Sequence, residues 1–252
     1  MNIYAFLLTS FAGLSTMLGT IFIFFKGKNI KNIIITSLSF AAGVMICVSL
    51  IDLIPSSILE INKIFRIFPT FNIMLIFFSI GVIISMMIDK FLPCDNIYTT
   101  DNKNLYKVGL ISMLAIILHN IPEGIATYMA SNNNIKVGLS LTLAIALHNI
   151  PEGISISIPI YFASKSKKKA IFYTFVSSLS EPFGAIITHL FLKKYINSTA
   201  IGFLYAIIAG IMIHISIYEL LPSAKKYNNK TRLIISFLIG VIFMLINHLI
   251  FN

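Results

Sequence analysis

The chain has 252 residues, 57% of them hydrophobic and only 11% charged, with a mean hydropathy of +0.91. No soluble domain of this length buries that much apolar surface. Repeated apolar runs of about 20 residues therefore indicate a polytopic helical membrane protein, because unpaired backbone in hydrocarbon is too costly. The formal net charge of +10 does not indicate nucleic acid. The lysines sit in short loops between apolar runs, where they set orientation, and the expected partner is the lipid bilayer. Of two cysteines, Cys47 falls in an apolar run and Cys94 in a loop, so no disulfide framework is expected.

In chain order, eight spans are predicted, over residues 3–25, 33–58, 71–92, 108–130, 137–162, 170–192, 200–221 and 233–251. The N-terminus lacks a basic segment ahead of its apolar run, which reads as the first span rather than a cleaved signal. No loop is long enough for a second domain, so residues 1–252 read as one transmembrane unit. Loops one, three, five and seven hold 14 of the 19 basic residues, including Lys26, Lys28, Lys165, Lys167, Lys168, Lys169 and Arg232. The other loops hold Lys63, Arg66, Lys136, Lys193 and Lys194. The richer side is expected in the cytoplasm, with both termini outside.

Two copies of one string dominate the fourth and fifth spans. Leu118-His119-Asn120-Ile121-Pro122-Glu123-Gly124-Ile125 recurs as Leu147-His148-Asn149-Ile150-Pro151-Glu152-Gly153-Ile154. On a helix His119 and Glu123 share a face, as do Asn120 and Glu123. Pro122 removes a backbone donor and is expected to kink its helix. The two spans are joined by a short linker, so they run antiparallel and the copies are inverted relative to each other.

A second repeat pairs Ala42-Gly43-Val44-Met45-Ile46 with Ala209-Gly210-Ile211-Met212-Ile213. It continues through Ser49 and Ser216, Asp52 and Glu219, and Pro55 and Pro222. The expected architecture is all-α, with three spans, an inverted central pair, and three spans mirroring the first three. Inverted repeats with interrupted central helices mark secondary transporters that bind cargo near the midplane.

Five of the nine acidic residues, Asp52, Glu123, Glu152, Glu181 and Glu219, fall within or at the edge of spans. A carboxylate at the bilayer centre costs on the order of 3 kcal/mol on insertion scales, so each is a functional candidate. Two imidazoles with two or three carboxylates suit zinc, iron, manganese, cobalt or cadmium, and the absence of clustered thiolates argues against Cu(I). Symmetry suggests that His119, His148, Glu123 and Glu152 close around one ion. Asn120 and Asn149, with Glu181, suit a second on the other side of the same glutamates. The metal is cargo, and no catalytic cofactor is expected.

The paired strings, Ser180-Glu181-Pro182-Phe183-Gly184-Ala185, and Ala209-Gly210-Ile211-Met212 with Glu219-Leu220-Leu221-Pro222 resemble the ZIP family of divalent metal transporters, in its bacterial branch. The resemblance covers essentially the whole chain. It implies eight helices, metal uptake into the cytoplasm and a two-metal site. It places His119, Glu123, His148 and Glu152 at the first position, and Asn120, Glu123, Asn149, Glu152 and Glu181 at the second. Met45 matches a methionine that approaches the first position in relatives. The family is thought to move its central helices against a scaffold containing the second and seventh spans. Many relatives carry histidine clusters in the third loop, and this chain has none there, so no metal-sensing role is expected of that loop.

Plainer readings apply elsewhere. His189, His214 and His248 repeat no ligand pattern and read as interhelical hydrogen-bond partners. Asn120 and Asn149 have a rival role, satisfying carbonyls freed by the prolines. Asp52 and Glu219 read as facing headgroup water, and Met45 and Met212 as packing residues. An intramembrane di-metal enzyme is the rival function, since carboxylate–histidine helices also build di-iron sites. Its helical His-Glu-x-x-His signature is missing, and an enzyme does not need inverted repeats. A homodimer is a candidate assembly.

The lysine asymmetry fixes a topology test. In a background lacking Cys47 and Cys94, Asn2→Cys and Asn252→Cys should react with an impermeant thiol reagent on intact cells, and Ser166→Cys should not. Labelling confined to the Ser166 variant would invert the orientation.

Overall fold

The computed structural model describes residues 2–24, 30–65, 67–91, 100–192 and 198–251. The loop positions Lys26, Lys28, Arg66, Cys94, Lys193 and Lys194, the terminal Asn252, and the span ends at 25 and 92 lie outside the described residues. Among the described residues the chain is helical and holds no strand. Eight helices are long and apolar enough to cross a bilayer. They are span 1, Ile3–Phe24; span 2, Lys31–Asn62; span 3, Phe68–Ile88; span 4, Leu105–Asn132; span 5, Gly138–Ser164; span 6, Lys167–Phe191; span 7, Thr199–Lys225; and span 8, Lys230–Ile250. The all-α, eight-span reading of the sequence holds.

The packing is that of a membrane protein. Large apolar side chains such as Leu7, Phe68, Phe172 and Leu249 are exposed, while Thr9, Ser49, Ser112, Thr142, Ser177 and Ser216 are buried. Without a hydrophobic drive between helices in lipid, close approach of small residues does the joining. Glycines show where. A side chain at Gly19 would strike the backbone of Gly153, and one at Gly153 the carbonyl of Thr16. Gly124 lies against the backbone of Glu181, and Gly184 against that of Ile121. Spans 1 and 5 thus meet as spans 6 and 4 do. The same reciprocity joins span 2 to span 8, where Gly43 faces Phe237 and Gly240 faces Phe40. It joins span 7 to span 3, where Gly210 faces Phe78 and Gly81 faces Ile207. Each contact has its counterpart in the other half, as the sequence repeat requires.

The second repeat has its own local signature. Span 2 changes from α-helix, Ile30–Val48, to a π turn, Ser49–Leu53, before continuing at Ile54–Asn62. Span 7 does the same, with Ser198–Ile215, a π turn at Ser216–Leu220, and Leu221–Lys225. The Ile54 amide bonds the Ser49 carbonyl, and the Leu221 amide the Ser216 carbonyl, each five residues back. Pro55 and Pro222 follow directly. Their rings cannot donate and crowd the carbonyl four residues earlier, which the wider turn relieves. Ser49 Oγ donates to the Met45 carbonyl at 2.7 Å, and Ser216 Oγ to the Met212 carbonyl at 2.8 Å.

The breaks are not where interrupted central helices were expected. The α-helices of spans 4 and 5, Thr100–Asn133 and Ile135–Ser164, run uninterrupted through Pro122, Pro151 and Pro159. A proline removes one hydrogen bond without ending a membrane helix when neighbouring helices supply partners. Interruptions fall instead in spans 2 and 7, in span 1, which passes from α-helix to a 3-10 stretch over Thr16–Phe24, and in span 6, which breaks at Leu179 between Lys167–Ser178 and Ser180–Ile187.

Spans 1, 4, 5 and 6 pack on one another, and so do spans 2, 3, 7 and 8. The two groups meet mainly where span 2 touches span 5, span 4 touches span 7 and span 5 touches span 8.

If the glycine contacts hold each group together, Gly19→Val and Gly81→Val should destabilise the protein. Overpacking typically costs about 1–3 kcal/mol. A lipid-facing Leu238→Val should leave the melting temperature in detergent unchanged. Equal melting of all three variants would refute the assignment.

Candidate metal centre

Spans 4 and 5 carry the duplicated strings through the middle of the first group and place their polar residues face to face. His119, Asn120, Glu123, His148, Asn149, Glu152 and Glu181 are all buried. The sequence puts each histidine one turn from the glutamate of its own string, but the contacts form between strings. His119 Nε2 lies 2.9 Å from Glu152 Oε1, and His148 Nε2 lies 3.3 Å from Glu123 Oε1. The two crossed pairs are what an approximate two-fold axis between antiparallel helices generates. They are unequal, since the first is a hydrogen bond and the second leaves His148 Nε2 without one.

Glu181 enters from span 6, beside the close contact of Gly124 with its backbone. Asn149 Nδ2 donates to Glu181 Oε1 at 2.5 Å and to the carbonyl of Ala12 at 2.8 Å. Asn149 therefore ties spans 1, 5 and 6 together. It does not satisfy the carbonyl freed by Pro151, so that rival role fails for it. Asn120 is different, because neither its amide nitrogen nor its oxygen has a hydrogen-bond partner. Nor do Glu123 Oε2, Glu152 Oε2, Glu181 Oε2, Asn149 Oδ1 and His119 Nδ1. A buried polar atom without a partner costs about 1–3 kcal/mol, more if charged. Carboxylate and amide oxygens and imidazole nitrogens such as these are atom types that bind divalent transition metals. Among the described residues no three His, Cys, Asp or Glu side chains converge as a ready-made ligand cluster.

A cavity of about 130 Å³ reaches this centre from one side. Glu123 and His148 line it, with Ala126, Leu141, Ala144, Ile145 and Tyr205. Asp52, Ser56, Asn247 and His248 also line it. These residues lie in the later parts of spans 2, 4 and 8 and the earlier parts of spans 5 and 7, hence toward one membrane face. The plain reading of Asp52 as a headgroup-facing residue is corrected. It sits in the π turn of span 2, lines the cavity, and pairs with His248 across to span 8. The signal was available in the repeat that pairs Asp52 with Glu219. Nothing in the sequence singles out Tyr205 or Asn247. Of the other histidines, His189 Nδ1 lies 3.2 Å from Tyr128 Oη and His214 Nδ1 2.9 Å from Ser85 Oγ, both between helices. Met45 and Met212 are buried in the core between spans.

The family model described as "ZIP Zinc transporter" matches residues 95–248. The chain is similar to a "Zinc transporter ZupT" of Clostridium perfringens, 38% identical over 98% of this chain and 95% of the relative. It is similar to proteins of the same description from Streptococcus mutans, 39% identical over 98% and 97% of the two chains, and from Oceanobacillus iheyensis, 40% identical over 89% of each.

The two asparagines should separate in a stability measurement. Asn149→Ala loses two buried hydrogen bonds, at about 1 kcal/mol each, and should lower the melting temperature of metal-free protein. Asn120→Ala removes an amide that has no hydrogen-bond partner and should melt at or above the parent. The reverse order would contradict this geometry.

Proposed function

Because the chain belongs to the ZIP family of metal transporters, and is a transporter rather than an enzyme, we propose that it carries zinc from outside into the cytoplasm by alternating access through the centre of spans 4 and 5. The observation that carries this reading is the pair of crossed His–Glu contacts, each with carboxylate oxygen left without a hydrogen-bond partner. The unit that acts is the whole transmembrane chain in the cytoplasmic membrane, with both termini outside. Iron, manganese, cobalt and cadmium also accept imidazole and carboxylate ligands and are secondary cargoes in this reading.

The cycle follows from the chemistry of the pairs. An arriving cation, shedding water, turns His119 from Glu152 and His148 from Glu123, and takes both imidazoles and both carboxylates as its first position. The second oxygens of Glu123 and Glu152, with Asn120, Asn149 and Glu181, make a second position rich in oxygen. When metal leaves toward the cytoplasm, the crossed pairs re-form and protons return to groups that metal held deprotonated. The pairs therefore serve as the closed state of an empty carrier, shielding buried acids between cycles. Movement of spans 1, 4, 5 and 6 against spans 2, 3, 7 and 8 provides the alternation, since direct contact between the two groups is confined to a few helix pairs.

In proteoliposomes, Glu123→Ala and Glu152→Ala should abolish zinc uptake with insertion intact. Glu181→Ala should retain one tightly held ion in purified protein with slowed transport. The double change His119→Ala with His148→Ala should lose that ion, because oxygen ligands alone discriminate poorly for zinc. Metal-to-protein ratios from elemental analysis, set beside uptake rates, decide it. Complete emptying by Glu181→Ala would mean one indivisible cluster.

A further inference from the structure

The cavity that reaches Glu123 and His148 is lined by a second set of metal-ligating side chains, on helices of the other four-span group. Asp52 Oδ1 and His248 Nδ1 are 2.5 Å apart, their side chains 22% and 33% exposed, so water reaches both. Asn247, beside His248, is 3% exposed. Its Nδ2 donates to the Ala144 carbonyl of span 5 at 3.2 Å and contacts Met244 Sδ at 3.7 Å. Its Oδ1 is buried without a hydrogen-bond partner, and the residue lines the same cavity. Ser56, one turn beyond Asp52, also lines it.

From this arrangement we propose that Asp52, His248 and Asn247 form a capture station for a hydrated divalent transition-metal cation, upstream of the central pairs. An imidazole held at Nδ1 by a carboxylate presents Nε2 to a metal, and the carboxylate both orients the ring and raises its basicity. Asp52 adds charge attraction for an arriving cation, and Asn247 Oδ1 adds a neutral oxygen. Two direct protein ligands, His248 Nε2 and Asn247 Oδ1, on a still largely hydrated ion bind weakly and release quickly, which suits capture rather than storage. The Asn247–Ala144 hydrogen bond places the station where span 8 meets span 5, the helix that carries His148. A cation leaving the station is in the cavity that Glu123 and His148 also line.

The proposal rests on the zinc-uptake reading, and the experiment separates the two. Zinc uptake is measured in proteoliposomes across a range of free zinc for the parent, His248→Ala, His248→Asn, His248→Cys and Asn247→Leu. No zinc uptake by the parent would defeat the transport reading itself. With an active parent, the station requires His248→Ala to raise KM by roughly tenfold, a loss of about 1.4 kcal/mol in capture, while the rate at saturating zinc stays near the parent's. Asn247→Leu should shift KM the same way by a smaller factor. His248→Asn keeps a donor near Asp52 but removes the imidazole, so it should behave like the alanine variant. His248→Cys restores a zinc ligand and should recover KM. An unchanged KM in His248→Ala, or full recovery by His248→Asn with none by His248→Cys, would show a merely structural hydrogen bond and overturn the proposal. Should His248→Ala fail to insert, the contrast between the asparagine and cysteine variants decides alone.

Discussion

The controlling constraint is the enclosure of three carboxylates, Glu123, Glu152 and Glu181, deep among the helices. A charge moved into a medium of low polarity is penalised far beyond what folding can tolerate unless a partner meets it. The crossed contacts with His119 and His148 and the amide of Asn149 are that partner set. Each contact bridges different helices, so helix positions must be held closely. The glycines at 124, 153, 184 and 19 do this by letting backbone meet backbone beside the acids. The carboxylates thereby sit beside close backbone contacts, and several of their oxygens are left without a hydrogen-bond partner.

Antiparallel duplication then shapes everything outside the centre. One half cannot place a histidine against a glutamate of the other string unless its own glutamate is placed against the other histidine. The same reciprocity appears at a distance in the glycine seams of span 2 with span 8 and of span 7 with span 3. It reappears in the serine-to-methionine-carbonyl bonds ahead of each π turn. The symmetry is approximate where function needs direction. His119 bonds its glutamate and His148 does not, and the cavity is lined by His148 and not by His119. A carrier symmetric in every contact would have no preferred side.

What could be read in advance was whatever a pattern repeats. Span number followed from hydropathy, the inversion from two duplicated strings, and the transporter family from those strings together. The candidate residues stood out because histidine and glutamate in apolar runs are conspicuous, and the structure buries them together. Their partners did not stand out. Spacing says that His119 and Glu123 share a helix face, but not that each turns toward the opposite helix, since that depends on how two backbones cross. Asn120 and Asn149 look identical in sequence, and only the neighbours Ala12 and Glu181 give the second its hydrogen bonds. Proline misled in spans 4 and 5, where it suggested an interruption. It marked true irregularity in spans 2 and 7, where the π turn precedes it, and in span 6, where Pro182 follows the break at Leu179. Asn247 carries no pattern, and it shows its place only once span 8 is laid beside span 5.

The π turns of spans 2 and 7 have a consequence for phase. Each residue advances an α-helix by about 100°, so one surplus residue in a turn rotates everything beyond it by that angle relative to an unbroken helix. In span 2 the part before Ser49 packs on span 8 and the part after Leu53 on span 7. One rod thereby addresses two neighbours from different sides. Deleting a single residue within 49–53 would leave composition and length almost untouched and let the helix run regularly. It would also swing Ser57 and Ile61 out of their contact with span 7. The irregular winding is what lets a straight membrane helix belong to two interfaces at once.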